Sequence, residues 1–93
     1  MNIIRMNAFV AKEDQVGELR GFLHSIIPSI SATSGCVSCR LLHSQEDPTR
    51  FVVLEEWTSR DAHQASVQNI QVSDVERVIG MLAAPPAGEY FTL

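Results

Sequence analysis

The sequence predicts an α+β fold of the ferredoxin-like kind, ordered β-α-β-β-α-(α)-β, with an antiparallel four-stranded sheet. Three observations carry this prediction. Residues 2–10 and 50–58 place apolar side chains on both alternating sets, as strands covered on two sides do. Between them, Val16, Leu19, Leu23, Ile26 and Ile30 recur at three- and four-residue steps, the period of a helix with one buried stripe. Finally, Glu46-Asp47-Pro48-Thr49 is a turn sequence joining two strand-like segments into a hairpin.

The first strand, residues 2–10, sets Ile4, Met6, Ala8 and Val10 against Ile3 and Phe9, with Asn7 the odd member of its set. Glu13 and Asp14 then open a helix, where negative charge complements the positive end of the dipole. Pro28 should kink or end it near its last turn. Gly17 and Gly21 lie four apart and predict either a backbone groove open to close approach or tight packing of helix on sheet.

Ser34-Gly35 breaks the helix, and residues 36–44 form the second strand. The third, residues 50–58, has Phe51, Val53, Glu55 and Trp57 on one face and Val52, Leu54 and Glu56 on the other. Ser59 is placed to cap a helix through Ala62, Ala65 and Val67. After a break near Asn69-Ile70-Gln71, Ser73-x-x-Glu76 reads as a capping box for a last helix burying Val75, Val78, Ile79 and Leu82. Pro85-Pro86 stops it, and residues 89–93 form the closing strand.

Helices on one face leave the other apolar face of such a sheet bare. A second copy packed sheet against sheet would cover it, so the pattern predicts a homodimer. The 93 residues suffice for one domain, 1–93, and are too few for two. A domain of this size hides only roughly 60–65% of the surface its unfolded chain exposes, which also favours self-association.

Eleven acids against seven bases give a net charge of −4, and the arginines are scattered. No clustered basic stripe exists to neutralise phosphates, so nucleic acid is excluded as a partner. The first apolar run is interrupted by Arg5 and Asn7, and the longest uncharged stretch, residues 21–39, carries His24, Pro28 and five serines. These features predict a cytoplasmic protein without an export signal or membrane span. Cys36 and Cys39 form a CxxC spacing. On a regular strand they would point to opposite faces, about 10 Å apart and beyond disulfide reach. Two reduced structural cysteines are expected, as suits a reducing compartment.

Several of these features together resemble the antibiotic biosynthesis monooxygenase family. They are Gly35-Cys36 opening the second strand, the acidic-Pro turn before Arg50-Phe51-Val52, and Glu55-x-Trp57 followed by Ser59-x-Asp61-Ala62. Pro85-Pro86 leading into Tyr90 completes the set, so the resemblance spans essentially the whole chain. It implies a dimeric α+β barrel. Some members of the family oxygenate aromatic phenols or quinols without metal or flavin; others degrade haem or isomerise small carbonyl compounds. Many relatives place a histidine four residues after the alanine of the second helix. Here that position is Ser66, and His63 sits roughly 60° around the helix from it. The haem-degrading pattern keeps Asn7 but finds Ser66 where a tryptophan belongs and Glu76-Arg77 where a histidine belongs.

The resemblance therefore implies a cofactor-independent monooxygenase of aromatic, quinol-like molecules. Such chemistry needs a proton acceptor, a dry pocket and donors for the substrate oxygens. His63 is the candidate base, ahead of His24 at the edge of the buried stripe and His43 on a packed strand face. Asn7 and Ser66 are candidate substrate contacts, and Trp57 either stacks on substrate or packs in the core. No residue set has metal-ligand spacing, and no cofactor is implied. Two other functions fit the same sequence: a non-catalytic dimer binding a small hydrophobic molecule, or a cofactorless isomerase.

Overall fold

A computed structural model describes all residues, Met1–Leu93. Strand β1 (Ile3–Val10) leads through a 3-10 turn at Glu13–Gln15 into helix α1 (Val16–Ser31). Strands β2 (Cys36–His43) and β3 (Arg50–Trp57) form the expected hairpin. Helices α2 (Arg60–Val67) and α3 (Val72–Met81) follow, and β4 (Ala87–Thr92) closes the chain. The sheet order is β2-β3-β1-β4, every pair antiparallel. This is the predicted ferredoxin-like order, and no helix is long and apolar enough to cross a membrane.

The core lies between α1 and one sheet face. Leu19, Phe22 and Leu23 of α1 pack with Phe51 and Val53 of β3, joined by Ala11, Cys39 and Leu82. Each large side chain fully buried there is worth about 1.5–3 kcal/mol of transfer free energy. Pro28 falls in the last turn of α1, which ends three residues later. The helix α2 begins as expected, with the Ala62 backbone N–H donating to Ser59 Oγ at 3.1 Å.

Register divides the sheet into two faces. On the covered face, Arg5 stands between Glu55 of β3 and Tyr90 of β4, and Asn7 stands between Val53 and Gly88. On the other, Met6 stands between Leu54 and Glu89, and Ile4 between Glu56 and Phe91. That second face has no helix over it and includes Val52 and Leu42, a neighbouring pair of the hairpin.

Four expectations are corrected. Gly17 and Gly21 are exposed, and nothing lies within 4 Å of where a Cβ would sit, so neither marks a groove or tight packing. The capping box does not form, because α3 starts at Val72 with Gln71 as N-cap, leaving Ser73 inside the first turn. Val75 and Ile79 of α3 are exposed rather than buried, since they face the open space of a cavity instead of packed side chains. Lastly, an irregularity between Cys36 and Ser38 shifts the register of β2. Cys36 then pairs with Trp57 and Cys39 with Glu55, so both cysteines lie on the covered face. Both are free thiols. Burial, then the Glu55 charge, pushes the Cys39 thiol up to about 12, so it stays protonated.

Candidate functional site

The covered face of the sheet is not filled everywhere. Between β1, β3, the start of β4 and helices α1–α3 lies a cavity of about 620 Å³, within the ~300–1,000 Å³ usual for small-molecule sites. Its wall is largely apolar, with Phe9, Phe22, Leu23, Ile26, Val53 and Val78 prominent. Four polar side chains interrupt that wall at its sheet end: Arg5, Asn7, Glu55 and His63.

His63 is only 7% exposed, although it lies on a helix whose neighbours are polar. The turn of α2 points it inward over the end of β3, where Trp57 meets its ring edge-on at 5.4 Å. Its Nδ1 lies 2.6 Å from the Tyr90 hydroxyl. Its Nε2 makes no hydrogen bond and sits 3.8 Å from Glu55 Oε1. No buried polar side-chain atom lacks a partner, so Nε2 is open rather than sealed. Burial, with the Arg5 charge second, lowers the His63 pKa, which keeps the ring neutral near neutral pH. In the tautomer that donates Nδ1–H to Tyr90, Nε2 carries a free lone pair on a side chain that lines the cavity.

Glu55 is 4% exposed and fully engaged. Trp57 Nε1–H donates to its Oε1 at 2.7 Å, and Asn7 Nδ2 donates to its Oε2 at 3.1 Å. Burial raises its pKa, while the bonds from Trp57 and Asn7 and the nearby Arg5 pull the other way. Asn7 in turn accepts from Arg5 Nε at 3.0 Å. One connected network thus runs from Arg5 through Asn7 and Glu55 to Trp57, with His63 and Tyr90 beside it. A proton arriving at His63 Nε2 would create an imidazolium at ion-pair distance from a buried carboxylate. The arrangement can therefore remove a proton from a molecule in the cavity and hold it.

His63, Asn7 and Ser66 all line this same cavity. The Ser66 hydroxyl donates to the His63 carbonyl at 2.6 Å, so its hydrogen is used within the helix. Both polar ends of the Asn7 side chain are likewise engaged by protein. Trp57 departs from the stacking role: it is 1% exposed and absent from the cavity wall, and it backs His63 and Glu55 from behind. His43 is held at the far end, with its Nε2 2.8 Å from the Pro48 carbonyl and its ring stacked on Phe51. His24 is exposed on α1.

The sequence reading did not place Arg5, Glu55 or Tyr90 among the candidate site residues. A signal was available. Each is a polar residue on a strand face that is otherwise apolar, and pairing the strands in register sets all three side by side. No group of three or more His, Cys, Asp or Glu side chains converges as a metal site.

Comparison with known proteins bears on this arrangement. The family model described as antibiotic biosynthesis monooxygenase matches residues 2–77. Among solved structures, Rv0793 from Mycobacterium tuberculosis superposes with a TM-score of 0.89 at 22% identity, covering 100% of this chain and 95% of that one. The protein NE2512 of unknown function from Nitrosomonas europaea gives 0.84 at 26% identity, covering 99% and 88%. A structure named as an antibiotic biosynthesis monooxygenase gives 0.87 at 15% identity, covering 98% and 97%. At such identities these likenesses establish the shared fold. No curated protein matches the sequence.

Proposed function

The chain belongs to the antibiotic biosynthesis monooxygenase family, and from that premise we propose that it is a cofactor-independent monooxygenase of aromatic, quinol-like small molecules. One observation carries the reading. A buried histidine that lines a largely apolar cavity keeps its Nε2 free of hydrogen bonds while its other nitrogen is held by Tyr90. That is the geometry a general base needs, with ring orientation set by a partner and a low proton affinity set by burial.

In this reading, His63 Nε2 takes a proton from the acidic C–H or O–H of the substrate. The electron pair stays on the substrate as a phenolate or carbanion, which is electron-rich enough to pass an electron to oxygen. For a ring CH₂ that becomes a carbonyl, one O₂ is consumed; one oxygen atom enters the product and the other leaves as water. Glu55 stabilises the imidazolium. Phe9, Phe22 and Val53 supply a flat apolar wall and exclude water. Asn7 and Ser66 line the same space, their polar groups engaged by protein and shaping the wall beside the substrate, and no cofactor takes part.

The reading includes a homodimer, one domain of residues 1–93 per copy, joined through the open sheet face. Its support is the run of Ile4, Met6, Val52, Leu54 and Phe91 on a face that no helix covers. A cytoplasmic location accompanies it, supported by two free thiols.

The test is oxygen uptake by metal-free protein over a panel of hydroquinones and anthrones, wild type against His63→Ala. Uptake by the wild type, abolished by the substitution, is the expected result. Recovery of unaltered ligand after long aerobic incubation would point instead to a binding module. Conversion of substrate without oxygen consumption would point to an isomerase.

A further inference from the structure

Arg5 is the only guanidinium on the cavity wall, and little of it is used by the protein. Its Nε–H donates to Asn7 Oδ1 at 3.0 Å, but no carboxylate lies within 4 Å of it. Its Nη groups have no side-chain or backbone acceptor, and no buried polar atom is left without a partner, so they are open. The side chain is nevertheless held in place. It lies 4.5 Å from the centre of the Tyr90 ring, whose ring also carries Arg60 at 4.4 Å. It rests directly on Gly88, where a Cβ would collide with the guanidinium and would come within 2.9 Å of Asn7 Oδ1.

We propose that Arg5 holds the oxyanion: its free Nη–H groups receive the phenolate or enolate oxygen that forms when the substrate loses its proton. The inference rests on the monooxygenase reading for the base, since the proton goes to His63 Nε2. In that step a substrate C–H or O–H bond breaks, an N–H bond forms at Nε2, and the electron pair remains on the substrate oxygen. Both charges created by the transfer then meet a fixed opposite charge. The imidazolium faces Glu55, and the oxyanion faces Arg5. Preorganised donors aimed at developing charge are worth most in a water-poor site.

The same wall defines the substrate class. Besides Arg5, its charged side chains are Glu55 and Asp74. A molecule that arrives already anionic meets two carboxylates, whereas a neutral phenol or enolisable ketone meets none of that repulsion and ionises in place. Arg5, Asn7 and Tyr90 also tie the oxyanion position to the base, because Asn7 bonds Glu55 and Tyr90 bonds His63. One rigid network thereby sets both ends of the proton transfer.

Ionisation of a bound phenol tests this without any turnover. The probe is 2-hydroxy-9,10-anthraquinone, whose phenolate absorbs at longer wavelength, titrated at saturating protein. The apparent pKa of the probe should fall by about one unit on binding wild type, as a nearby cation commands. Arg5→Gln should abolish the fall, and Arg5→Lys should keep part of it. Gly88→Ala retains the charge but displaces the guanidinium, and it should also abolish the fall. His63→Ala should keep it, which separates the oxyanion site from the base. A probe that fails to bind, or that ionises alike in wild type and Arg5→Gln with both folded by circular dichroism, overturns the proposal. A wild type that shifts the probe yet consumes no oxygen sinks the monooxygenase reading and leaves the Arg5 site standing.

Discussion

The Tyr90 hydroxyl lies 2.6 Å from His63 Nδ1, so the last strand fixes the ring of a helical residue 27 positions earlier. The tyrosine is itself steadied by guanidinium groups of Arg5 and Arg60 against its ring. Tyr90→Phe keeps the ring and removes only the hydroxyl. The loss of one hydrogen bond should cost about 1 kcal/mol of stability. Oxygen uptake should fall more than that figure alone suggests, by about tenfold or more, because the base loses the partner that orients its ring. Steady-state rates and urea denaturation of the same variant check both numbers. Unchanged turnover would remove Tyr90 from the site.

The pH dependence of stability follows from His63. Burial and Arg5 set its pKa below 6.5 in the folded chain. Between that value and 6.5 the unfolded chain binds a proton that the folded one does not, so stability falls as pH drops through this window. Glu55 acts in the opposite sense. Its pKa is raised above 4.5 by burial, so its contribution to stability is lost as pH rises through the folded value. Comparing wild type with His63→Gln isolates the first effect. The stability of wild type relative to the variant should decline between pH 7 and pH 5 in urea titrations. The acid limb of kcat/KM should correspondingly lie below pH 6.5.

Glu55 accepts from a buried indole N–H and a half-buried amide, so its removal orphans both. Glu55→Ala leaves the Trp57 indole N–H and the Asn7 amide without their acceptor. At about 1–3 kcal/mol per unsatisfied group, the loss from the two should be about 2–6 kcal/mol. For a domain of this length that is a fall in Tm of roughly 8 °C or more. Glu55→Gln keeps one acceptor for Trp57 and should cost less. Scanning calorimetry of the pair checks the order.

The open sheet face provides a test of assembly. Leu54 stands opposite Met6 in the middle of that face. Leu54→Arg places a charge at the centre of the proposed dimer contact, where an unpaired buried cation is costly. Wild type should sediment as a dimer and the variant as a monomer with unchanged far-ultraviolet circular dichroism. A monomeric wild type would refute the dimer directly.

The elements were legible in the sequence because their causes are local. The stripe from Val16 to Ile30, the acidic-Pro turn and the Ser59 cap each act within a few residues, and each forms where the pattern places it. The capping box at Ser73 failed because α3 already begins at Val72, with Gln71 as its N-cap. Val75 and Ile79 are exposed because they border a cavity that several elements enclose, which no local pattern records.

Sequence alone determined the order of strands and helices and the two apolar faces of the sheet, since periodicity and turn chemistry carry that information, and the family resemblance made His63 a candidate. Only the tertiary structure decided that Arg5, Glu55 and Tyr90 belong with it. Cross-strand register sets Arg5 between Glu55 and Tyr90, and no local pattern links residues so far apart in the chain. The irregularity in β2 likewise turned Cys36 to the covered face, because one shifted pairing reverses a side chain's direction. Chemistry at this site is set by which residues the sheet brings into register, and that depends on the whole fold.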